Sequence, residues 1–368
     1  MQSRNVSTST KAFRGFCVVC LMIALLVFGG IYDDYHELET IDLIQVIGID
    51  HQEDMVTITA LGSQMSNEKP AIYKGSGEAM NKAIANMQTE AGTAYLHFGH
   101  VKYIVLSDTA ASSKISDVLD YCIRMPDIGL NAAIYYVDGS AGKTMQDVEE
   151  GKNLSEILDS MAAKGLETSV MYRYTLIDVI SSLLRNGFAM TSEFAVEEGK
   201  VVPKGLAVLP EKGDPIHLNK DEMRLLALLE GRLKNFSEVI TGDDDKGVGV
   251  DISETNVEYS ILWQDDKWML KIEISMQCGL DELHKDQEML DREGLKQIED
   301  AVYRRIYNSV SDLIQKSYDL GLDICGLGQR AYLLTGKKET MDYNNISYQL
   351  IVNATLNRTY AIGEGAEQ

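Results

Sequence analysis

His97 and His100 stand three positions apart just before an apolar run, a spacing at which two imidazoles can share a metal ion. No third ligand stands in a comparable motif, so hydrogen bonding within the fold is the expected role. Asp243, Asp244 and Asp245 offer the hard oxygens that calcium takes. They are contiguous, however, whereas an EF-hand loop spaces its ligands at alternate positions and ends on glutamate. Gly75-Ser-Gly77 lacks the lysine and the further glycines of a phosphate loop. Gly326 and Gly328 follow a helical pattern, where a dinucleotide fingerprint would follow a strand. Neither a Gly-x-Ser-x-Gly elbow nor a His-Glu-x-x-His helix is present. Missing motifs do not exclude an enzyme, but they weaken the case for one, and no residue here is assigned a catalytic, cofactor-binding or metal-ligating role.

The cysteines point the same way. Two of the five, Cys17 and Cys20, lie in the apolar run near the N-terminus, and Cys122, Cys278 and Cys325 are scattered, with no pair at metal or redox spacing. An odd number without a local framework implies a fold held by packing rather than by disulfides.

The run Phe16 to Ile31 is the chain's long uncharged apolar stretch. Arg4, Lys11 and Arg14 precede it, and Asp33, Asp34 and Glu37 follow, a bias that leaves the N-terminus in the cytosol and the rest outside. Its length as a helix is roughly 24 Å, short of a ~30 Å hydrocarbon core unless flanking residues enter or the bilayer thins. Two readings stay open: an uncleaved anchor, carried by Phe16, Leu21, Ile23, Leu25, Leu26, Val27 and Ile31, and a signal peptide cut near Gly29-Gly30. Bulky Phe28 beside the glycines makes a poor small-x-small site and favours the anchor. The net charge of −22 repels phosphates and anionic lipid headgroups, which excludes nucleic acid as a partner of the part beyond the anchor.

Periodicity then places the elements. Ile41–Asp50 and Met55–Leu61 read as a hairpin, and Met80, Ala83, Ile84 and Met87 as one helix face after Ser76, with Gly92 as its stop. Val101–Leu106 and Leu130–Val137 read as strands flanking a helix that ends before Pro126. Helices follow at 154–163 and 176–184, stopped at Gly165 and Gly187. Lys204–Pro210 reads as a strand, and Asn219 with Glu222 as a capping box. Gly242–Gly247 reads as a linker, Val257–Trp263 and Trp268–Met276 as paired strands, and Leu295 to Tyr318 as a long helix ended by Gly321. Ile346–Leu356 closes the chain as a strand. The fold class expected is α+β / mixed α/β, multidomain, with mixed sheets and packed helices behind an N-terminal membrane segment. The divisions expected are 1–35 (basic N-terminus and apolar segment), 36–191 (α/β domain), 192–247 (middle module and linker) and 248–368 (α+β domain with the long helix).

Four stretches resemble the Ger(x)C family, the C subunit of nutrient germinant receptors: Glu37-Leu38 with Gln45-Val-Ile-Gly-Ile-Asp50; Gly75-Ser-Gly-Glu78 with His97-Phe-Gly-His-Val-Lys-Tyr-Ile-Val105; Arg124-Met-Pro-Asp-Ile-Gly-Leu-Asn131; and Tyr318-Asp-Leu-Gly-Leu-Asp-Ile-Cys-Gly-Leu-Gly328. Each is short, but their order and spacing cover most of the chain. The resemblance implies a non-enzymatic, outward-facing, membrane-attached subunit on the outer face of the spore inner membrane. It would work with integral membrane subunits of A and B type, one of them permease-like, in spore germination. Family members carry an acylated cysteine just after the apolar run. Here Ile31-Tyr32 stands in that place and Cys17 and Cys20 lie too early, so a retained helix would supply the attachment. The rival reading is an extracytoplasmic small-molecule binding protein; a secreted hydrolase has only its location in support.

Overall fold

The computed structural model describes residues 13–24, 41–64, 70–150, 152–168, 171–241, 247–264, 267–282 and 292–358. Two sheets organise them. The larger has ten strands: β1 (Ile41–Gln52), β2 (Met55–Gln64), β3 (Ala71–Gly77), β4 (Tyr95–His97), β5 (Tyr103–Leu106), β6 (Ala133–Tyr136), β7 (Tyr174–Thr175), β8 (Phe188–Glu197), β9 (Lys200–Pro210) and β10 (Ile216–Leu218). Their order is β10-β9-β8-β6-β5-β1-β2-β3, with β4 and β7 as short additions beside β1 and β6. The middle strands β1, β5, β6 and β8 run parallel, and antiparallel hairpins flank them on both sides.

Parallel neighbours need crossovers, and helices supply them. On one face lie α1 (Met80–Glu90), α2 (Asp108–Arg124) and α5 (Leu176–Asn186), burying Met87, Ile115, Val118 and Val179 against Ile104 and Ile134. On the other lie α3 (Ala141–Gln146) and α4 (Leu154–Thr168), whose Met145 and Leu158 meet Tyr103, Val105, Tyr135 and Phe194. Successive residues of β5 thus enter opposite cores, which is why this strand reads as an unbroken apolar run. The helix starts are built locally. Ser107 caps α2, and reciprocal boxes of Thr175 with Asp178 and of Asn219 with Glu222 open α5 and α6 (Lys220–Leu229).

The smaller sheet has the order β11-β12-β13-β14, with β11 (Phe236–Thr241), β12 (Gly247–Gln264), β13 (Lys267–Glu282) and β14 (Ile346–Arg358). Leu270, Ile272, Ile274 and Met276 of β13 form one buried face, as their alternation predicts. Laid across it is the long helix α7 (Arg292–Leu320), which presents Val302, Ile306, Val310 and Leu313. Gly321 then turns with φ +68°, a conformation that costs glycine little, and α8 (Leu327–Thr335) begins after the Cys325–Gly328 bend. Helix α6 lies between the two units. Its Met223, Leu226 and Leu229 belong to one buried cluster that runs from Val208 and Leu218 of the first sheet to Ile272 of the second.

Several expected boundaries meet a different arrangement. The division at 191/192 falls inside β8, and β9 and β10 continue the first sheet. Residues 242–246 lie outside the described residues, but Thr241 and Gly247 are register partners in adjacent strands. The segment read as a linker between domains therefore joins two neighbouring strands of one sheet, and the division at 247/248 falls in β12. Strand β3 occupies the stretch between Pro70 and α1, where no strand is expected; it pairs with β2, and the Ser76 and Thr57 hydroxyls bond at 2.8 Å. Helix α4 continues past Gly165 to Thr168. Glycine lowers helix propensity by only ~1 kcal/mol, so it stops a helix only where the chain must turn.

Candidate functional site: a tryptophan cleft on the second sheet

The stretches that carry the family resemblance serve packing and helix starts. Asp50 accepts the N–H groups of Ala141 and Gly142 at 2.8 and 2.9 Å, holding the start of α3. Gly48 lies beneath that helix, where an added Cβ would stand 2.5 Å from the Met145 sulfur. Gly75 and Gly77 let α1 lie directly on β3: a Cβ on Gly75 would be 2.6 Å from Met87 Cβ and closer still to the Ala83 carbonyl. In the His97–Val105 stretch, Phe98 and Val101 are core residues. The His97 and His100 rings meet edge to face at 5.8 Å and His100 is exposed. Among the described residues no three His, Cys, Asp or Glu side chains gather as metal ligands.

Asp323 does similar work in the last stretch. Its carboxylate accepts the N–H groups of Leu327 and Gly328 at 2.7 and 2.9 Å, opening α8. Burial nevertheless raises its pKa above the usual carboxylate range, because desolvation outweighs these bonds. Gly328 passes against the Met341 backbone, so any larger residue would push α8 away from the turns that follow it. Cys122, Cys278 and Cys325 are free and buried, and burial pushes their thiols up to about 12, 11 and 12.

A cavity lies elsewhere. Trp263 and Trp268 are register partners beside the turn of the β12–β13 hairpin, with ring centroids 4.7 Å apart in an edge-on pose. They share the sheet face of Leu270 and Ile272, but Trp263 stays 57 % exposed. In front of them α8 ends at Gly336 (φ +69°), and two 3₁₀ turns, Lys338–Met341 and Tyr343–Asn345, lead into β14. Between these turns and the tryptophans opens a cleft of about 580 Å³ whose walls include Glu339, Asn344 and Asn345, with Lys267 at the hairpin.

Its walls are tied in place. Lys337 places its ammonium 4.6 Å from the Trp268 ring centre, a cation–π contact. Ser347 donates to the Trp268 carbonyl at 3.2 Å. Asp342 accepts the Asn344 and Asn345 side-chain amides at 3.0 and 3.2 Å, which fixes both carboxamides. Tyr318 of α7 donates to the Ile346 carbonyl at 3.0 Å. Lys267 and Glu339 both line the cleft and bring one positive and one negative charge to it. The arrangement offers one large aromatic surface, amide and carboxylate acceptors, and amide and ammonium donors. In sequence the two tryptophans read only as strand residues; the signal that they share a site is that both stand within five residues of each other, across the short gap between β12 and β13.

Of the expected anchor residues, Phe16, Leu21 and Ile23 lie on a helical stretch at 13–24, all exposed, while Leu25, Leu26, Val27 and Ile31 lie outside the described residues. Among the described residues no helix is long and apolar enough to cross a membrane.

A three-layer sheet joined through α6 to a second, helix-covered sheet defines a multidomain α+β protein with a ligand-sized cleft at the far end of its smaller unit. The comparisons with known proteins narrow this. The family model described as the spore germination protein N-terminal domain matches residues 34–192, and that described as spore germination B3/GerAC-like, C-terminal, matches residues 204–360. The solved crystal structure of the GerBC protein shares the fold at a TM-score of 0.58 and 13 % identity, covering 85 % of this chain and 97 % of that one. No curated protein matches the chain. The chain belongs to the GerAC-like spore germination proteins, the family of germinant-receptor C subunits. The first model ends at 192, inside β8, and the second begins at 204, inside β9, two strands that pair in one sheet.

Proposed function

We propose that this protein is a non-enzymatic C-type subunit of a nutrient germinant receptor, attached to the outer face of the spore inner membrane and acting with integral membrane subunits of A and B type. The observation that carries this is the two family models matching in order across 34–192 and 204–360. The helical stretch at 13–24 supports the attachment. Phe13, Phe16, Val18, Val19, Leu21, Met22 and Ile23 are all more than half exposed, an apolar surface that water disfavours and a bilayer accepts. In this reading residues 1–35 attach the chain, with Phe16, Leu21, Ile23, Leu25, Leu26, Val27 and Ile31 in the bilayer, and everything from residue 36 onward lies outside.

Deleting the gene in a strain without a redundant receptor is expected to abolish one nutrient response while spores still form; an unchanged response would overturn the assignment. Co-purification from detergent-solubilised spore membranes is expected to recover two polytopic partners. Intact-mass measurement decides the attachment, since a mature chain beginning after Gly30 would rule out the retained helix. The rival reading, a small-molecule binding protein acting alone, draws on the tryptophan cleft and requires tight ligand binding by the isolated chain.

A further inference from the structure

We propose that the cleft between Trp263 and the Asn344–Asn345 turn is a binding site for a neutral carbohydrate, a pyranose whose C–H face lies on the Trp263 indole. This goes beyond the receptor assignment and does not depend on it.

Three observations lead there. The first is the exposed ring. On the same face of this hairpin Leu270, Ile272 and Ile274 are buried under α7, whereas Trp263 keeps 57 % of its surface at the mouth of a cavity. A large apolar ring held open in this way, beside fixed polar groups, is the arrangement of a ligand platform.

The second is the polarity of the wall. Because Asp342 engages both side-chain N–H₂ groups, Asn344 and Asn345 offer their oxygens, and Glu339 adds a carboxylate. Each amide keeps its oxygen and one further N–H, and Lys267 adds an ammonium, so the wall both accepts and donates; the complementary ligand carries hydroxyls, which do both. Pre-set carboxamides also cost little entropy to use, since they are already ordered.

The third is charge. Lys267 and Glu339 bring opposite charges to the lining, and Lys337 stands over the second tryptophan. A simple cation meets the two lysines, and a simple anion meets Glu339 with Asp342 behind the asparagines. A neutral ligand meets neither penalty. The volume of about 580 Å³ lies in the range of small-ligand sites and admits one or two pyranose rings.

The chain has two tryptophans and both border this cleft, so its indole emission reports on this place alone. The purified full-length chain in detergent is titrated with D-glucose, D-galactose and N-acetyl-D-glucosamine, and separately with glycine, L-alanine and L-phenylalanine. At least one sugar is expected to give a saturable emission change, with a Kd on the order of 0.1–10 mM. By calorimetry, Trp263→Ala is expected to weaken that binding about tenfold or more, and Asn345→Ala and Glu339→Gln about three- to tenfold each. Circular dichroism checks the fold of each variant, and the two polar variants decide the matter should Trp263→Ala misfold. No saturation with any of the three sugars up to about 100 mM overturns the proposal. So does saturation by the amino acids alone, or sugar binding that ignores all three substitutions. None of these outcomes alters the deletion or co-purification tests of the receptor assignment.

Discussion

The two sheets are built to opposite specifications. The larger is covered on both faces, and the sequence motifs cluster where its layers come closest: Gly48 under α3, Gly75 and Gly77 under α1, Asp50 on the first N–H groups of α3. The smaller sheet puts α7 on one face and leaves the other polar, with Lys271, Glu273 and Asn353 joined along it. Beyond the reach of α7 it leaves two tryptophans over a cleft. The most recognisable residues of this chain are thus packing residues, and the place best suited to a ligand is made of residues that look ordinary in sequence. A signature can mark what a fold needs to close rather than where it acts.

The sharpest way to break this contrast is at Gly75. Replacing it with valine drives carbon into the Ala83 carbonyl and Met87, and α1 has no room to retreat without uncovering Met80 and Ala83. The expected cost is about 3 kcal/mol or more, read as loss of soluble protein or a fall in denaturation midpoint. A Gly75→Val variant as stable as the parent would show that the first unit is not close-packed there.

Asp50→Ala comes next. Two charge-assisted bonds to α3 are lost, with an expected destabilisation of about 1–3 kcal/mol and faster amide exchange confined to 141–146. Exchange accelerating equally throughout would mean that α3 is not held locally.

The buried thiols test both units together. Burial raises Cys122 to about 12, Cys278 to about 11 and Cys325 to about 12, so the native state keeps protons that the unfolded chain releases near pH 8.5. This stabilisation is complete below pH ~8.5 and is lost as pH rises through the folded values, at up to about 1.4 kcal/mol per pH unit for each thiol. Denaturation midpoints measured from pH 8 to 10 should fall. A thiol reagent at pH 8 should leave Cys122, Cys278 and Cys325 unreacted until the chain is denatured. Fast reaction of these three in the native chain would contradict the packing.

The smallest effect is expected at the cleft. Trp263→Ala removes a mostly exposed ring and should change stability by only about 0.5 kcal/mol. A loss of several kcal/mol would make Trp263 a structural residue and erase the difference between the two regions.

Much of the architecture was legible from residue patterns. The β1–β2 hairpin with its turn at Glu53-Asp54, the Asn219–Glu222 box and the alternating face of β13 each rest on interactions within a few residues or on one repeating period. Strand β3 was not legible, because Ala71-Ile-Tyr followed by Lys74-Gly-Ser-Gly77 is too short and glycine-rich to show a period, and it becomes a strand only when β2 supplies a partner. The break at 242–246 was misleading for a related reason. A charged, glycine-flanked segment has the same composition whether it joins two domains or two strands.

Sequence by itself determined the period of each element, the helix starts, the apolar N-terminal run and the acidic surface, since these depend on neighbours along the chain. Tertiary structure alone decided that Asp50 grips a helix 91 residues away, that α6 joins two sheets through one core, and that Trp263, Glu339 and Asn344 border a single cavity. Contacts between residues so far apart in sequence leave no period or spacing behind, because nothing but the closed fold sets their distance.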